Sequence, residues 1–245
     1  MKLDKNFFSE NIKTLIYALI IAVIIRSLLV QPFYIPSSSM EPTLLVGDRI
    51  FVSKYTYGYS KHSFPFSPPI LNKRILYSKP NYGDLIVFKT PSDNRTDFIK
   101  RLIGLPGDEI QIIKGELFIN KKKIFRTKIG DRSDIKCASY EQEVFEFKEE
   151  LPNKKTHVAI YKKEGSMLNT DVYIVPEKHY FFLGDNRDCS SDSRFLSNVG
   201  YVHENNLVGK AKIIFFSNDT NKGSVLKFWN WNNSIRFDRF FKSIK

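Results

Sequence analysis

The stretch DFIKRLIGLPGDEIQIIKGELFIN, residues 97–120, decides the fold class. Short apolar runs, Phe98-Ile99, Leu102-Ile103, Ile110 to Ile113 and Leu117 to Ile119, are broken by Gly104, Pro106-Gly107 and Lys114-Gly115. Runs of this length between turn formers read as strands, and IKGELFINKK reads as a hairpin around Lys114-Gly115-Glu116. Working outward, RIFVSKY (49–55), DLIVFKT (84–90), DVYIVP (171–176), HYFFLGD (179–185) and LVGKAKIIFF (207–216) repeat the pattern. The chain beyond residue 30 is therefore expected to be predominantly antiparallel β. A charged segment at about 113–175 reads as an inserted β subdomain. SKHSFPFSPPILN (60–72) reads as a loop whose aromatics suit a bilayer surface as well as a core.

With 21 Phe and 12 Tyr in 245 residues, the chain can bury a sizeable core. Its two cysteines, Cys137 and Cys189, exclude a disulfide-dense scaffold and a cysteine-based zinc site. They either pair in an oxidising compartment or remain two buried thiols; the sequence leaves both open. The net charge of +12 invites a nucleic-acid reading, but Lys and Arg are scattered and KKK at 121–123 is the longest run. No nucleic-acid signature accompanies them, and affinity for anionic headgroups is the more economical reading.

TLIYALIIAVIIRSLLV, residues 14–30, carries one charge, Arg26. As a helix it would span about 25 Å, close to a bilayer's hydrocarbon core, with Arg26 near enough to its end to snorkel. A cleavable signal peptide would need small residues after the run, and QPFYIP offers large ones. The expected layout is a short cytoplasmic tail (1–13), a membrane anchor (14–30) and an extracytoplasmic catalytic β domain (31–245). Three lysines against Asp4 and Glu10 in the leader give a weak positive-inside signal for that orientation.

Directly after the anchor, YIPSSSMEP (34–42) holds Ser37, Ser38 and Ser39. Such a run is ordinarily a solvated turn, and a serine becomes a nucleophile only beside a base. There is no G-x-S-x-G elbow, and His62, His157, His179 and His203 sit in isolated contexts. Lys100 is a better partner: a strand lysine is ordinarily a surface residue, but burial makes it a base near neutral pH. A third element, GDNRDCSSDSRFLSNVGYV (184–202), crowds Asp185, Asp188, Asp192, Arg187 and Arg194 together. An EF-hand beginning at Asp188 would need Gly at 193 and Glu at 199, where the chain has Ser and Val. The loop reads instead as a self-satisfied network of ion pairs and hydrogen bonds.

The anchor running into PFYIPSSSMEPTLLVGD, then YGDLIVFK, then FIKRLIGLPGDEI, then YFFLGDNRDCSSDSR, resembles the bacterial type I signal peptidases (leader peptidases) in order and content. The resemblance implies a signal-peptidase-like β fold and a membrane-bound serine endopeptidase that cuts preproteins after small-x-small (A-x-A) sites. It implies Ser39 as nucleophile and Lys100 as general base. The oxyanion would meet the Ser39 N–H and the Ser37 hydroxyl. Ser190 would hydrogen-bond the lysine, and Asp192 and Arg194 would brace the site. Phe33, Ile35, Pro36, Met40, Leu44, Ile50, Val87, Phe98 and Ile99 would form shallow pockets for an extended substrate. The resemblance also implies no cofactor, metal or nucleic acid. The expected partners are preproteins and a lipid bilayer with anionic headgroups, for a monomer anchored once in the bacterial inner membrane. Ser38 departs from the family pattern, where glycine is common, and so does Cys189, where asparagine is common. A self-cleaving repressor-type Ser-Lys protease would replace the anchor with a helix-turn-helix, and an inert adaptor would lack Ser39 or Lys100.

The tail SVLKFWNWNNSIRFDRFFKSIK (224–245) places Phe237, Phe240, Phe241 and Ile244 at helical spacing. An amphipathic helix is expected there, either lying in the headgroup region beside Trp229 and Trp231 or packed on the β core.

Overall fold

The body is built around one eight-stranded antiparallel sheet in the order β1-β2-β14-β3-β4-β12-β13, with β15 added beside β14. The strands are β1 (Val30–Tyr34), β2 (Asp48–Ser53), β3 (Leu85–Lys89), β4 (Asp97–Gly104), β12 (His179–Leu183), β13 (Val202–His203), β14 (Leu207–Ser217) and β15 (Lys242–Ser243). This is a computed structural model, and it describes residues 5–137, 140–223, 229 and 231–244. Alternation across the pleat sorts the apolar residues. Leu85 and Val87 of β3 enter a cluster with Ile35, Met40, Leu44 and Ile50, while Ile86 and Phe88 face Leu102 and Phe182 on the other side. In β12, Phe181 and Leu183 turn to a third cluster with Ile103, Ile110 and Leu117, opposite Tyr180 and Phe182. A strand buried on both faces reads as a continuous apolar run, as LIVF and YFFL do.

Between β4 and β12 the chain builds two further sheets. One is four-stranded, from β5 (Glu109–Ile113), β6 (Glu116–Ile119), β7 (Lys122–Lys123) and β11 (Tyr173–Ile174). Its hairpin turns at Lys114 and Gly115, both at positive φ (51° and 74°), where the sequence places it. That pair of left-handed conformations makes the tight primed turn that suits twisted strands, and glycine adopts one at no steric cost. The other sheet is a meander of β8 (Phe125–Cys137), β9 (Tyr140–Glu150) and β10 (Thr156–Lys162). Its strands are richly charged, yet Arg126 lies over the rings of Phe147 and Tyr161, so cation stems and aromatics share one face.

At the other end, α1 (Lys5–Ile24) continues through a π-helical turn at Ile25–Leu29 straight into β1. The helix starts inside the leader, earlier than residue 14, and Val30 already belongs to the sheet. Glu10–Leu29 is long and apolar enough to cross a membrane, and almost all of it is exposed. Two hydrogen bonds tie its end to the body: Lys54 N–H to the Leu29 carbonyl (3.0 Å) and the Tyr59 hydroxyl to the Leu28 carbonyl (2.9 Å).

The C-terminal segment departs from expectation. Instead of an amphipathic helix it makes one α-turn (Trp231–Ser234), a 3-10 turn (Phe237–Arg239) and the short strand β15. The reason is Arg239, which is buried on Asp48 through two contacts of 3.0 and 2.6 Å and would be solvent-facing on the helix. Phe240 then packs against Phe216, and Ile244 against the first core cluster. The tail belongs to the body, with Trp229, Trp231, Phe237 and Phe241 left exposed. Residues 224–228, 230 and 245 of this stretch, like the first four of the leader, lie outside the described residues.

Candidate active site

β1 delivers the serines. Ile35 is clamped by hydrogen bonds to Asp48 and Gly47, both 2.9 Å, and the chain then turns through the 3-10 segment Ser38–Met40. Met40 and Leu44, both fully buried, pin that turn from below and leave Ser39 at the floor of a cleft. Lys100 reaches the same point from β4, whose register with β3 pairs it with Ile86. Its Nζ donates to Ser39 Oγ at 2.6 Å and to the Ile99 carbonyl at 3.1 Å. Only 4% of Lys100 is exposed. Burial pushes its ammonium down to a pKa of about 8, against the opposing pull of the Asp192 and Asp185 carboxylates. Ser37 Oγ stands 3.4 Å from Ser39 Oγ.

The 184–194 loop presses on the serine turn from the other side. Asn186 donates its backbone N–H to the Ser39 carbonyl (3.1 Å) and its side-chain amide to the Ser38 carbonyl (3.2 Å). Asp192 accepts the Gly184 N–H (3.0 Å) and the Arg194 guanidinium (2.8 and 2.9 Å). Arg101 grips Asp185 through two contacts of 2.7 and 2.6 Å, and Thr43 adds a third at 2.5 Å. Burial alone would raise the Asp185 carboxyl, but the Arg101 charge overrides it and holds it below its ordinary value. Arg187 pairs with buried Glu149 of β9, tying the loop to the meander, and Tyr161 donates to the same carboxylate at 2.6 Å. A disulfide between Cys137 and Cys189 makes the same link covalently and decides the pairing the sequence left open. Gly184 is required by contact: a Cβ there would lie 2.3 Å from Ser190 Oγ and 2.5 Å from the Ser39 carbonyl.

The cleft has a volume of about 440 Å³ and is walled by Phe33, Ile35, Pro36, Ile50, Val87 and Ile99 around Ser39 and Lys100. None of the four histidines lines it. They are held elsewhere: His62 by Ser67, His157 by Glu149, His179 by the Glu177 carbonyl, and His203 by the Asn205 N–H. A family model described as signal peptidase, peptidase S26, matches residues 8–216. The chain is 42% identical to the signal peptidase I of Rickettsia conorii, across 93% of this chain and 90% of that one. It is 41% identical to that of Rickettsia canadensis, across 96% and 93%. The chain belongs to the bacterial type I signal peptidase family.

It is thus a signal peptidase hydrolase, a protease that removes signal peptides. The crystal structure of a signal peptidase I from Enterococcus faecalis V583 shares 26% identity, covers 54% of this chain and 97% of its own, and superposes with a TM-score of 0.31, too loosely to compare sites.

Two sequence expectations change within the cleft. Met40 and Leu44 do not line the cleft; at 0% exposure they form the layer behind its walls, because the turn at Ser39 folds them under it. Among the described residues Ser190 Oγ lies buried without a hydrogen-bond partner, and Lys100 donates to Ser39 and Ile99. Phe98 does line the cleft, and its ring centroid stands 5.3 Å from Lys100 Nζ. Asn186, Gly184 and Thr43 escaped sequence reasoning, having no spacing or charge to mark them. The Gly184-Asp185-Asn186 run just after an apolar strand was the one available hint.

Proposed function

We propose that this enzyme cleaves preproteins with Ser39 as nucleophile and Lys100 as general base. The carrying observation is the 2.6 Å contact between Lys100 Nζ and Ser39 Oγ at the floor of an apolar cleft. With its pKa near 8, a sizeable fraction of Lys100 is neutral at working pH and takes the Ser39 proton as Oγ attacks the scissile carbonyl. The carbonyl oxygen becomes an oxyanion, met by the Ser39 N–H and the Ser37 hydroxyl. The Lys100 ammonium returns the proton to the leaving amine, breaking the peptide bond and leaving an acyl ester on Ser39. Neutral Lys100 next deprotonates a water that attacks the ester, and its proton goes back to Ser39 Oγ as the signal peptide departs.

The substrate would enter as an extended strand along Ile35-Pro36 and Phe98-Ile99, with backbone hydrogen bonds giving affinity and the pockets giving choice. Walls of Ile35, Val87 and Ile99 that are packed on the core cannot widen cheaply, which favours small residues at the first and third positions before the cut. The exposed helix Glu10–Leu29 suits a single membrane anchor, and the Cys137–Cys189 bond suits the oxidising, extracytoplasmic side. The test is cleavage of an A-x-A preprotein by the detergent-solubilised chain. One shortened product cut after the second alanine is expected, and cleavage that tolerates Phe at that position would overturn the pocket reading.

A further inference from the structure

A second cavity, of about 510 Å³, opens beside the cleft and shares Phe33 and Asp97 with it. Its lining gathers five cations, Arg26, Lys54, Lys61, Lys89 and Arg95, against two carboxylates, Asp93 and Asp97. Both carboxylates are already occupied. Asp97 pairs with Lys89 at 2.9 Å, while Asp93 accepts hydrogen bonds from Thr90, Thr96 and the backbone of Arg95. Lys54 donates to the Ser63 carbonyl at 2.6 Å. The side chains of Arg26, Lys61 and Arg95 make no ion pair or hydrogen bond among the described residues. Five cations against two carboxylates leave the cavity with a net positive charge, and three of the cations have no ion-pair partner among the described residues.

His62 also lines the cavity, with its Nδ1 2.9 Å from the Ser67 hydroxyl, and burial with the neighbouring cations holds its imidazole down to about 4, so it adds no charge of its own. Depth points the same way. Arg26 sits in the last turn of the apolar helix, and Phe66, beside the cavity, is wholly exposed. These are the levels at which phosphates and interfacial aromatics lie in a bilayer.

We propose that this cavity seats the phosphate of an anionic phospholipid headgroup, with Arg26, Lys61 and Arg95 around the phosphate oxygens. The seat rests on the reading of residues 10–29 as a membrane-spanning helix. It would place a bound lipid against Phe33, at the edge of the cleft, where the signal peptide leaves the bilayer.

The full chain, reconstituted in nanodiscs of equal phosphatidylcholine and phosphatidylglycerol, is released into the gas phase and its retained lipids are weighed by native mass spectrometry. Phosphatidylglycerol should be retained over phosphatidylcholine by roughly tenfold, the equivalent of about 1.4 kcal/mol. The combined variant Arg26→Gln, Lys61→Gln, Arg95→Gln, checked for an unchanged melting temperature, should lose that preference. The equally neutralised Lys114→Gln, Lys122→Gln, Lys178→Gln should keep it. Equal retention of both lipids, or a preference the first variant leaves intact, would overturn the seat while the chain stays in the membrane. Displacement of the lipid by millimolar inorganic phosphate would make the cavity a soluble-phosphate site and overturn the lipid assignment. Extraction of the chain from membranes by alkaline carbonate would instead overturn the spanning helix, and the seat with it.

Discussion

Lys100 and Lys54 are both buried, at 4% and 2% exposure, and burial pushes both down to a pKa of about 8. They differ in what they face. Lys100 reaches the hydroxyl of Ser39 in an apolar cleft, whereas Lys54 donates to the carbonyls of Ser63 and His62. A carbonyl has no proton to give, so the second arrangement can only hold the 60–67 loop against the sheet. A perturbed lysine is therefore not by itself a sign of catalysis; the atom opposite the ammonium decides between a base and a strut.

The widest gap between the two should be in cleavage. Ser39→Ala and Lys100→Ala should each lower preprotein turnover by about 10⁴-fold or more while the chain stays folded. Lys100→Arg should be as inactive, since a guanidinium keeps its proton at working pH. Appreciable turnover by either Lys100 variant would erase the distinction. A stability titration comes next. Each lysine binds its proton less tightly when folded, so the penalty is present in full below about pH 8 and fades as pH rises toward the unfolded value of 10.5. Stability against urea should thus climb across that window by about 3 kcal/mol per lysine. Lys100→Met and Lys54→Met should each flatten that climb, and a climb unchanged in both would mean neither ammonium is desolvated.

Gly184→Ala tests how Ser39, the group opposite Lys100, is positioned. The new Cβ must displace Ser190 or the Ser39 carbonyl, and a shift of about 1 Å in the nucleophile lowers turnover by about 10²-fold. Wild-type turnover in this variant would show that the 184–194 loop does not set the geometry. The smallest effect is the slope of the rate against pH. Under conditions where chemistry limits, it should rise about tenfold per pH unit up to about 8 and then level, as a base that must lose its proton requires. Lys54→Met should leave that midpoint where it is; a midpoint that moves with Lys54 would make the strut part of the catalytic titration.

What the sequence determined by itself is whatever depends on near neighbours along the chain. Alternating and continuous apolar runs specify strands, Lys114-Gly115 specifies its hairpin, and the uncharged stretch before Arg26 specifies a long exposed helix. Motif order was enough to place Ser39 and Lys100 in one family, although they stand 61 residues apart. Tertiary structure decided everything that depends on which surface covers which. The spacing of Phe237, Phe240, Phe241 and Ile244 suits a helix, but Arg239 gains more by burying itself on Asp48, 191 residues away, and the backbone follows it onto β14. Met40 and Leu44 are apolar enough for a pocket wall, yet the turn at Ser39 folds them behind it. For the same reason the sequence left the union of Cys137 with Cys189 undecided and gave no sign of the pairing of Arg187 with Glu149. Local periodicity encodes which side of an element avoids water, whereas a partner's identity is set by sheet register and by the need of each buried charge for an opposite one.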